Sequence, residues 1–212
     1  MIKILKNFSR RILGALFRKK SNIKVGFYGP PNSGKTTLAN IICKDWTGQE
    51  IGAVSHIPHE TRNVQFKEKV EIEHKGKKLT FKIVDTPGIA TKIDYEDFLK
   101  HGLSKNESKK RAKEATQGII ESIRWLDDMD AVVIVLDSTE NPYSQVNITI
   151  IGNLVARKIP ILVVANKIDA KKSNTKRLED AFPEYEVVGI SARDGTNLEE
   201  FYESLFKLAK KV

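Results

Sequence analysis

The sequence predicts a three-layer α/β fold, in which a mostly parallel six-stranded sheet lies between two layers of helices. Continuous apolar runs at 131–136 and 161–165 are typical of parallel strands that are covered on both faces, and the run at 23–28 predicts a further buried strand. A shorter run of the same kind lies at 187–190. Segments with helical periodicity alternate with these runs, at about 35–45, 105–128, 143–157, 174–181 and 197–211.

The two remaining strands are predicted from alternation of apolar and polar residues. Such alternation runs through 64–74, and it resumes at 79–83 after a Lys-Gly-Lys turn. This pattern favours an antiparallel hairpin and hence one antiparallel edge strand. Two helix starts carry the sequence of a capping box, Ser104 with Glu107 and Thr196 with Glu199.

Length and composition indicate one folded domain, at 22–212, preceded by a basic amphipathic helix at 1–21. The 212 residues include 40% hydrophobic and 30% charged residues, ordinary values for a domain with a real core. A single cysteine, Cys43, excludes a disulfide framework and fits a reducing cytoplasm. No apolar stretch approaches the roughly 18 residues of a membrane-spanning helix.

The N-terminal segment holds most of the excess positive charge. The chain has a net charge of +9, and residues 1–20 contain seven Lys and Arg and no acid. On a helix the apolar side chains of this segment share one face, which comprises Ile2, Ile4, Leu5, Phe8, Ile12, Leu13 and Leu16. Three interpretations remain open: reversible binding to an anionic membrane surface, packing against the domain, or an RNA-binding arm.

A phosphate-binding loop is predicted between the first strand and the first helix. The segment GPPNSGKT at 29–36 matches G-x-x-x-x-G-K-[ST] at every fixed position and has the required strand–loop–helix context. Its backbone N–H groups can face phosphate oxygens, Lys35 can reach the β- and γ-phosphates, and the Thr36 hydroxyl can bind Mg²⁺. The predicted nucleotide contacts here are Asn32, Ser33, Gly34, Lys35, Thr36 and Thr37.

A second motif, DTPG at 85–88, follows the predicted strand that ends at Val84. A carboxylate at this end of a strand, beside the phosphate loop, can hold the water shell of Mg²⁺, which makes Asp85 a candidate metal ligand. The backbone N–H of Gly88 can be offered to a γ-phosphate. The motif is common by itself and gains weight from its position after the phosphate loop.

The motif NKID at 166–169 predicts guanine as the base. The Asp169 carboxylate can accept hydrogen bonds from N1–H and the 2-amino group of guanine, whereas adenine would leave it unpaired and desolvated. Asn166 belongs to the same motif, and the aliphatic stem of Lys167 can lie over the base. After the last strand come Ser191, Ala192 and Arg193, with the Ala192 N–H placed to read guanine O6.

Together these motifs resemble those of the Era-like group of translation-factor-related P-loop GTPases, and they span residues 29–193. The resemblance implies the P-loop NTPase form of the fold, with GTP, GDP and Mg²⁺ as ligands. It also implies that Thr61, which precedes Arg62, is the switch-loop metal ligand, although Thr47 lies in the same stretch. Lys35, Thr61 and Gly88 are accordingly the predicted catalytic groups.

The resemblance has two consequences for turnover. Asn32 stands at the position whose asparagine coordinates K⁺ in potassium-activated members of the group. Ile89 stands where Ras-like proteins keep a water-orienting glutamine, and its side chain cannot form hydrogen bonds. Hydrolysis is therefore expected to be slow and to need K⁺, a partner or both.

Two functional hypotheses follow: a GTP-hydrolysing switch, and a module that holds nucleotide with negligible turnover. A ribosome- or RNA-associated assembly GTPase is the alternative cellular role. In Era an RNA-binding KH domain follows the GTPase domain, whereas this sequence ends after the predicted helix at 197–211. This difference weakens the expectation of an RNA-associated role. The segment 90–113 is longer than the usual second switch and is expected to present a partner-specific surface.

Overall fold

The structure is a computed structural model that describes residues 22–30, 32–47, 66–74, 77–84, 106 and 123–212. The predicted N-terminal helix and the predicted capping box at Ser104 and Glu107 lie outside these residues. So does most of the predicted helix at 105–128, of which residues 106 and 123–126 are described and helical.

The described part of the chain forms one six-stranded sheet with helices on both faces. The strands are β1 (Asn22–Tyr28), β2 (Phe66–His74), β3 (Lys77–Val84), β4 (Ala131–Asp137), β5 (Ile161–Asn166) and β6 (Val187–Gly189). Their order is β2-β3-β1-β4-β5-β6, and only the β2–β3 pair is antiparallel. The predicted fold class, including the antiparallel edge strand, is confirmed.

Four helices lie wholly within the described ranges, close to their predicted positions. They are α1 (Lys35–Thr47), α2 (Gln145–Ala156), α3 (Thr175–Ala181) and α4 (Leu198–Lys210). The Ser144 hydroxyl caps α2 by accepting the Asn147 N–H, and the Asn174 side chain caps α3 by accepting the Arg177 N–H. These small polar residues satisfy N–H groups that have no partner within the first helical turn.

Alternation along the central strands divides the core into two layers. On β4, Ala131, Val133 and Val135 are buried in one cluster with apolar residues of α1 and α4. The intervening Val132, Ile134 and Leu136 are buried in a second cluster with residues of α2 and α3. Both faces of the strand are therefore apolar, as the continuous hydrophobic run predicts.

The predicted capping box at Thr196 and Glu199 is wrong. The residue that caps α4 is Asn197, which has φ +59° and forms no side-chain capping bond. The carbonyl of Thr196 instead accepts the backbone N–H of Ser191 at 3.2 Å. Thr196 thus stabilises the loop after β6 rather than the start of the helix.

The topology brings the ends of β1, β4 and β5 to one edge of the sheet. These strands are parallel neighbours, and the register places Asp137 opposite Asn166. In open α/β sheets the carboxyl ends of the strands form the usual ligand site. Within the described ranges, no helix has both the length and the apolarity needed to cross a bilayer.

Candidate nucleotide-binding site

The phosphate loop depends on two glycines whose conformation other residues rarely adopt. Gly29 has φ +145° and Gly34 has φ +95°. A Cβ atom on Gly29 would lie 2.1 Å from the Val135 carbonyl oxygen. The backbone of the loop at Gly29 therefore lies directly against the backbone of β4, and only a residue without Cβ fits there.

Lys35, the predicted phosphate-binding lysine, is folded back across this loop. Its side chain is almost fully buried, and Nζ donates hydrogen bonds to the carbonyls of Gly29 at 2.9 Å and Pro30 at 2.7 Å. The loop thus fixes a positive charge beside its own backbone, as phosphate binding requires. Thr36 and Thr37 follow in the first turn of α1 and are partly buried.

Asn166 connects the phosphate loop to the loop after β6. It is 3% exposed; its Nδ2 donates to the Ser33 carbonyl at 2.7 Å, and its Oδ1 accepts the Ala192 N–H at 2.9 Å. A Cβ on Gly34 would lie 2.0 Å from this same Nδ2. The three motifs predicted at 29–36, 166–169 and 191–193 therefore meet around one amide.

The contact of Ala192 differs from the one expected from sequence. Its N–H was expected to read guanine O6, but in this structure it donates to Asn166 Oδ1. Reading of O6 by this group stays a prediction, and it requires this hydrogen bond to be shared or exchanged. The sequence prediction missed the bond because Ala192 and Asn166 are separated by 26 positions.

Asp169 has the charge state that guanine recognition needs. A hydrogen bond from Ser191 lowers the pKa of Asp169, and the nearby charges of Arg193 and Lys167 act in the same direction. The Arg193 guanidinium lies 3.0 Å from Asp169 Oδ2 while remaining 77% exposed. An ionised carboxylate is an acceptor only, which matches the two donors on the guanine edge.

Backbone hydrogen bonds hold the two base-reading loops together. The N–H of Ile168 donates to the Ile190 carbonyl at 3.1 Å, and the N–H of Gly195 donates to the Ser191 carbonyl at 2.8 Å. The Ser191 hydroxyl also accepts the Asp194 N–H at 3.1 Å. The first bond joins the loop after β5 to the end of β6, and the other two shape the loop that follows β6.

Sequence reasoning missed one residue of this site, Asp137. It ends β4, and its Oδ2 forms an ion pair with Lys167 Nζ. Burial pushes the pKa of Asp137 upward, but hydrogen bonds from Lys167 and Thr139 outweigh this effect and lower it. The sequence does contain a signal for Asp137, because this carboxylate directly follows a predicted buried strand. The same criterion made Asp85 a candidate metal ligand.

Several predicted site residues lie outside the described part of the chain: Thr61, Asp85, Gly88 and Ile89. Thr47 lies within it only as the last residue of α1. Of the predicted Mg²⁺ ligands, Thr36 is described, directly after Lys35. The predicted K⁺ ligand Asn32 is exposed and has φ +58°.

Comparisons with known proteins agree with this geometry. The family model described as "50S ribosome-binding GTPase" matches residues 24–167, about two thirds of the chain. The tRNA modification GTPase MnmE of Chlorobium chlorochromatii is 29% identical over 191 residues, which cover 88% of this chain and 35% of MnmE. The chain therefore spans about a third of the length of that relative.

Two solved structures of Era resemble this one. A variant of Aquifex aeolicus Era bound to GDP and AlF4⁻ is 26% identical with a TM-score of 0.56. Era in complex with MgGDPNP and a fragment of 16S ribosomal RNA is 25% identical with a TM-score of 0.55. Each match covers 88% of this chain and 56% of the Era chain.

The family match covers the phosphate loop and reaches into the base-reading motif, and the structure brings those two motifs together. The chain belongs to the 50S ribosome-binding GTPase family, and within it to the Era-like small GTPases.

Proposed function

We propose that this chain binds GTP and GDP with Mg²⁺ and hydrolyses GTP slowly, as a molecular switch. The observation that carries the proposal is the Asn166 amide, which joins the phosphate loop to the base-reading loop. A loop that served only as a turn would not need a buried side chain that links it to the loop after β6 at the same edge of the sheet. The described residues therefore support one site with a phosphate end and a base end.

The described residues also fit a magnesium nucleotide. Lys35 is held at the loop by two carbonyls, and Thr36 is next to it at the start of α1. In the proposal, Thr36, Thr61 and Asp85 would hold the ion. When bound, Mg²⁺ offsets the negative charge that develops on phosphate oxygens during transfer.

The chain's own residues would perform three tasks. The phosphate loop and Lys35 bind and orient the phosphates, Asp169 selects the base, and Gly88 contributes a backbone donor at the γ-phosphate. Ile89 offers no group that could orient an attacking water. This absence supports slow hydrolysis, and it is also the basis of the competing hypothesis of a module that holds nucleotide without turnover.

Nucleotide competition tests the binding proposal. GTP and GDP should displace a fluorescent GDP analogue from the chain, and ATP should not, because adenine offers no matching donors to the Asp169 carboxylate. Asp169→Asn should weaken binding of guanine nucleotides and favour xanthine nucleotides, since an amide presents a donor where a carboxylate accepted. Asp180→Asn, in an exposed ion pair with Lys176 on α3, is the matched control. Equal competition by ATP would contradict the base assignment.

Single-turnover hydrolysis distinguishes the switch from the holding module. We propose that K⁺ assists the reaction through Asn32, so the rate should be higher in K⁺ than in Na⁺, and Asn32→Ala should remove the difference. The support for this step is the motif resemblance and the exposed position of Asn32 in the loop. Equal rates in both salts would leave Asn32 as an ordinary loop residue, and a rate indistinguishable from zero would favour the holding module.

We further propose that the protein acts in the cytoplasm, with residues 1–20 binding the anionic inner face of the membrane. Seven basic residues and an apolar helical face support this role. Full-length protein should float with anionic liposomes at low salt, and the chain lacking residues 1–20 should not. A failure to float, together with a lower melting temperature of the shortened chain, would show packing of the segment onto the domain.

A ribosome-associated role is the alternative. It is supported by the relative whose structure contains a 16S ribosomal RNA fragment, although this chain covers 56% of that protein. Co-sedimentation with ribosomes in the GTP state, without flotation on liposomes, would favour this alternative over the membrane.

A further inference from the structure

Asp137 lies where the sheet brings it beside the base-reading motif. It is the last residue of β4, and its register partner on the parallel neighbour β5 is Asn166. Lys167 directly follows the end of β5, so the ends of two adjacent strands bring this carboxylate and this ammonium together. The Ser138 N–H strengthens the junction by donating to the Asn166 carbonyl at 2.9 Å.

The two oxygens of the Asp137 carboxylate have different partners. Oδ1 accepts the backbone N–H of Thr139 at 2.9 Å and its hydroxyl at 2.7 Å. Oδ2 accepts Lys167 Nζ. The Asp137 side chain is 13% exposed and that of Lys167 is 37% exposed. Thr139 thus orients the carboxylate, and the carboxylate in turn directs the lysine.

Lys167 needs such a constraint because its backbone is in the left-handed region. Its φ is +67°, a backbone conformation that residues other than glycine adopt at a cost in free energy. This conformation turns the chain sharply out of β5, so the direction of the long side chain is not set by the strand. The ion pair with Asp137 fixes the far end of a side chain that would otherwise have several rotamers.

We propose that Asp137 is a positioning residue that holds the Lys167 side chain in place as one wall of the guanine pocket. The inference rests on the proposed function, in which the stem of Lys167 lies over the base. A stem of methylene groups contacts the face of a base and does not read its edge. Its loss should therefore weaken different purine nucleotides by the same factor, whereas loss of Asp169 changes which base is chosen.

The lowered pKa of Asp137 is consistent with this role, since the carboxylate stays ionised throughout the neutral range. A second carboxylate that interacts with the charge of Lys167 is Asp169, two residues further along the same motif, whose pKa Lys167 also lowers. Lys167 thus interacts with two carboxylates that have different tasks. Asp137 holds it, and Asp169 reads the base.

A double-mutant cycle tests the inference in the full-length chain. Asp137→Asn and Lys167→Ala should each weaken binding of both GDP and IDP by about tenfold, the usual size of a lost charge-assisted contact. The double variant should bind no more weakly than Lys167→Ala, because Asp137 acts through the lysine. Asp128→Asn is the control. Asp128 pairs with Lys24 at a distance of 2.6 Å and lies away from the nucleotide site, so its substitution should leave both affinities unchanged.

The outcomes separate this inference from the proposed function. If the unmodified chain does not bind GDP, the proposed function fails. If it binds GDP and Asp137→Asn is without effect, or its effect adds fully to that of Lys167→Ala, the positioning role is wrong. If Asp137→Asn does not fold, Thr139→Val decides, since it removes one orienting bond and keeps the charge. A loss of affinity of about two- to threefold in this variant, equal for GDP and IDP, supports the positioning role. Unchanged affinity overturns it.

Discussion

The hydroxyl of Ser33 lies inside the phosphate loop, where it is buried and, among the described residues, has no hydrogen-bond partner. The loop uses the backbone of this residue instead, since its carbonyl accepts from Asn166. Burial of an unsatisfied hydroxyl opposes folding by about 1–3 kcal/mol. The hydroxyl of Ser33 is therefore expected to lower the stability of the loop that the backbone of this residue helps to build.

Ser33→Ala should consequently raise the free energy of unfolding by about 1 kcal/mol, because the unsatisfied oxygen is removed at nearly constant shape. GDP affinity should not change, since a backbone N–H and not the hydroxyl is expected to face the phosphates. Urea denaturation and isothermal titration calorimetry measure the two quantities. A clear loss of GDP affinity would instead show that the hydroxyl contacts the nucleotide.

Single residues of the site differed in how well the sequence predicted them. Lys35 and Asp169 belong to motifs with fixed spacing, and the structure places both at the same edge of the sheet. Asp137 was missed, because its role depends on the neighbouring strand and not on any spacing in the chain. The bond from the Ala192 N–H to Asn166 was also not predicted, and reading of guanine O6 by this N–H stays a prediction. Sequence motifs thus predict which groups are present better than they predict which contacts those groups form.

At the scale of elements, two glycines of the same chain have opposite surroundings. Gly152 lies within α2, and a Cβ there would meet nothing within 4 Å. Gly34 has φ +95°, and a Cβ there would lie 2.0 Å from Asn166 Nδ2. The first glycine weakens its helix without a packing reason, and the second is required by the junction of two loops.

Alanine at these two positions should have opposite effects. Gly152→Ala should raise the free energy of unfolding by about 0.5–1 kcal/mol, because glycine loses more backbone entropy in a helix than alanine does. Gly34→Ala should lower it by more than about 1 kcal/mol and abolish GDP binding, because the backbone conformation and the Asn166 contact are both incompatible with Cβ. Thermal unfolding and GDP titration of both variants provide the comparison. Stabilisation by Gly34→Ala would contradict the described loop geometry.

The start of α4 shows the limit of local signals for elements. Thr196 and Glu199 have the spacing of a capping box, yet Thr196 pairs with Ser191 across the loop after β6. The Thr196 carbonyl accepts a hydrogen bond across this loop, and the sequence pattern does not reveal that contact. The caps of α2 and α3 are supplied by Ser144 and Asn174, which were not singled out.

For the whole molecule, the sheet was the part best predicted from sequence. Runs such as 131–136 and 161–165 are apolar at every position, and only a strand covered on both faces explains them. The order of the strands, β2-β3-β1-β4-β5-β6, was not predicted and comes from the structure alone. The switch loops, in contrast, carry mainly polar residues without periodicity, so the motifs predict candidate ligands there but not how these are arranged.

The pH dependence of stability is set by ionisable groups in several parts of the fold. The pKa values of Asp137 and Glu186 are lowered in the folded protein, since hydrogen bonds and nearby lysines outweigh the effect of burial. A lowered pKa contributes stability above the unfolded value, near 3.8 for Asp and 4.5 for Glu, which is lost as pH falls through the folded value. Burial raises the pKa of Tyr28 and Tyr202, so their contribution is complete below pH 10.0 and is lost at higher pH.

From these groups, the free energy of unfolding should be nearly constant between about pH 5 and 9 and should fall on both sides. Tyr202→Phe should lower it by about 1 kcal/mol at pH 7, because the hydroxyl donates to Asp45 at 2.7 Å. The same variant should lose less stability above pH 10, since one buried ionisation is removed. Urea denaturation across pH measures both effects. An equally steep alkaline decline in the variant would assign the loss to other groups.

The amide of Asn166 has a consequence for the nucleotide as a whole. Because one side chain holds both the Ser33 carbonyl and the Ala192 N–H, displacement of either loop changes the position of the other. We therefore expect the binding free energies of pyrophosphate and guanosine to be coupled, and such coupling is reciprocal by thermodynamic necessity. A phosphate group that tightens the hold on guanine is itself held more tightly when guanine is bound. The protein would then respond to the intact nucleotide as one cooperative ligand and would discriminate against either fragment alone.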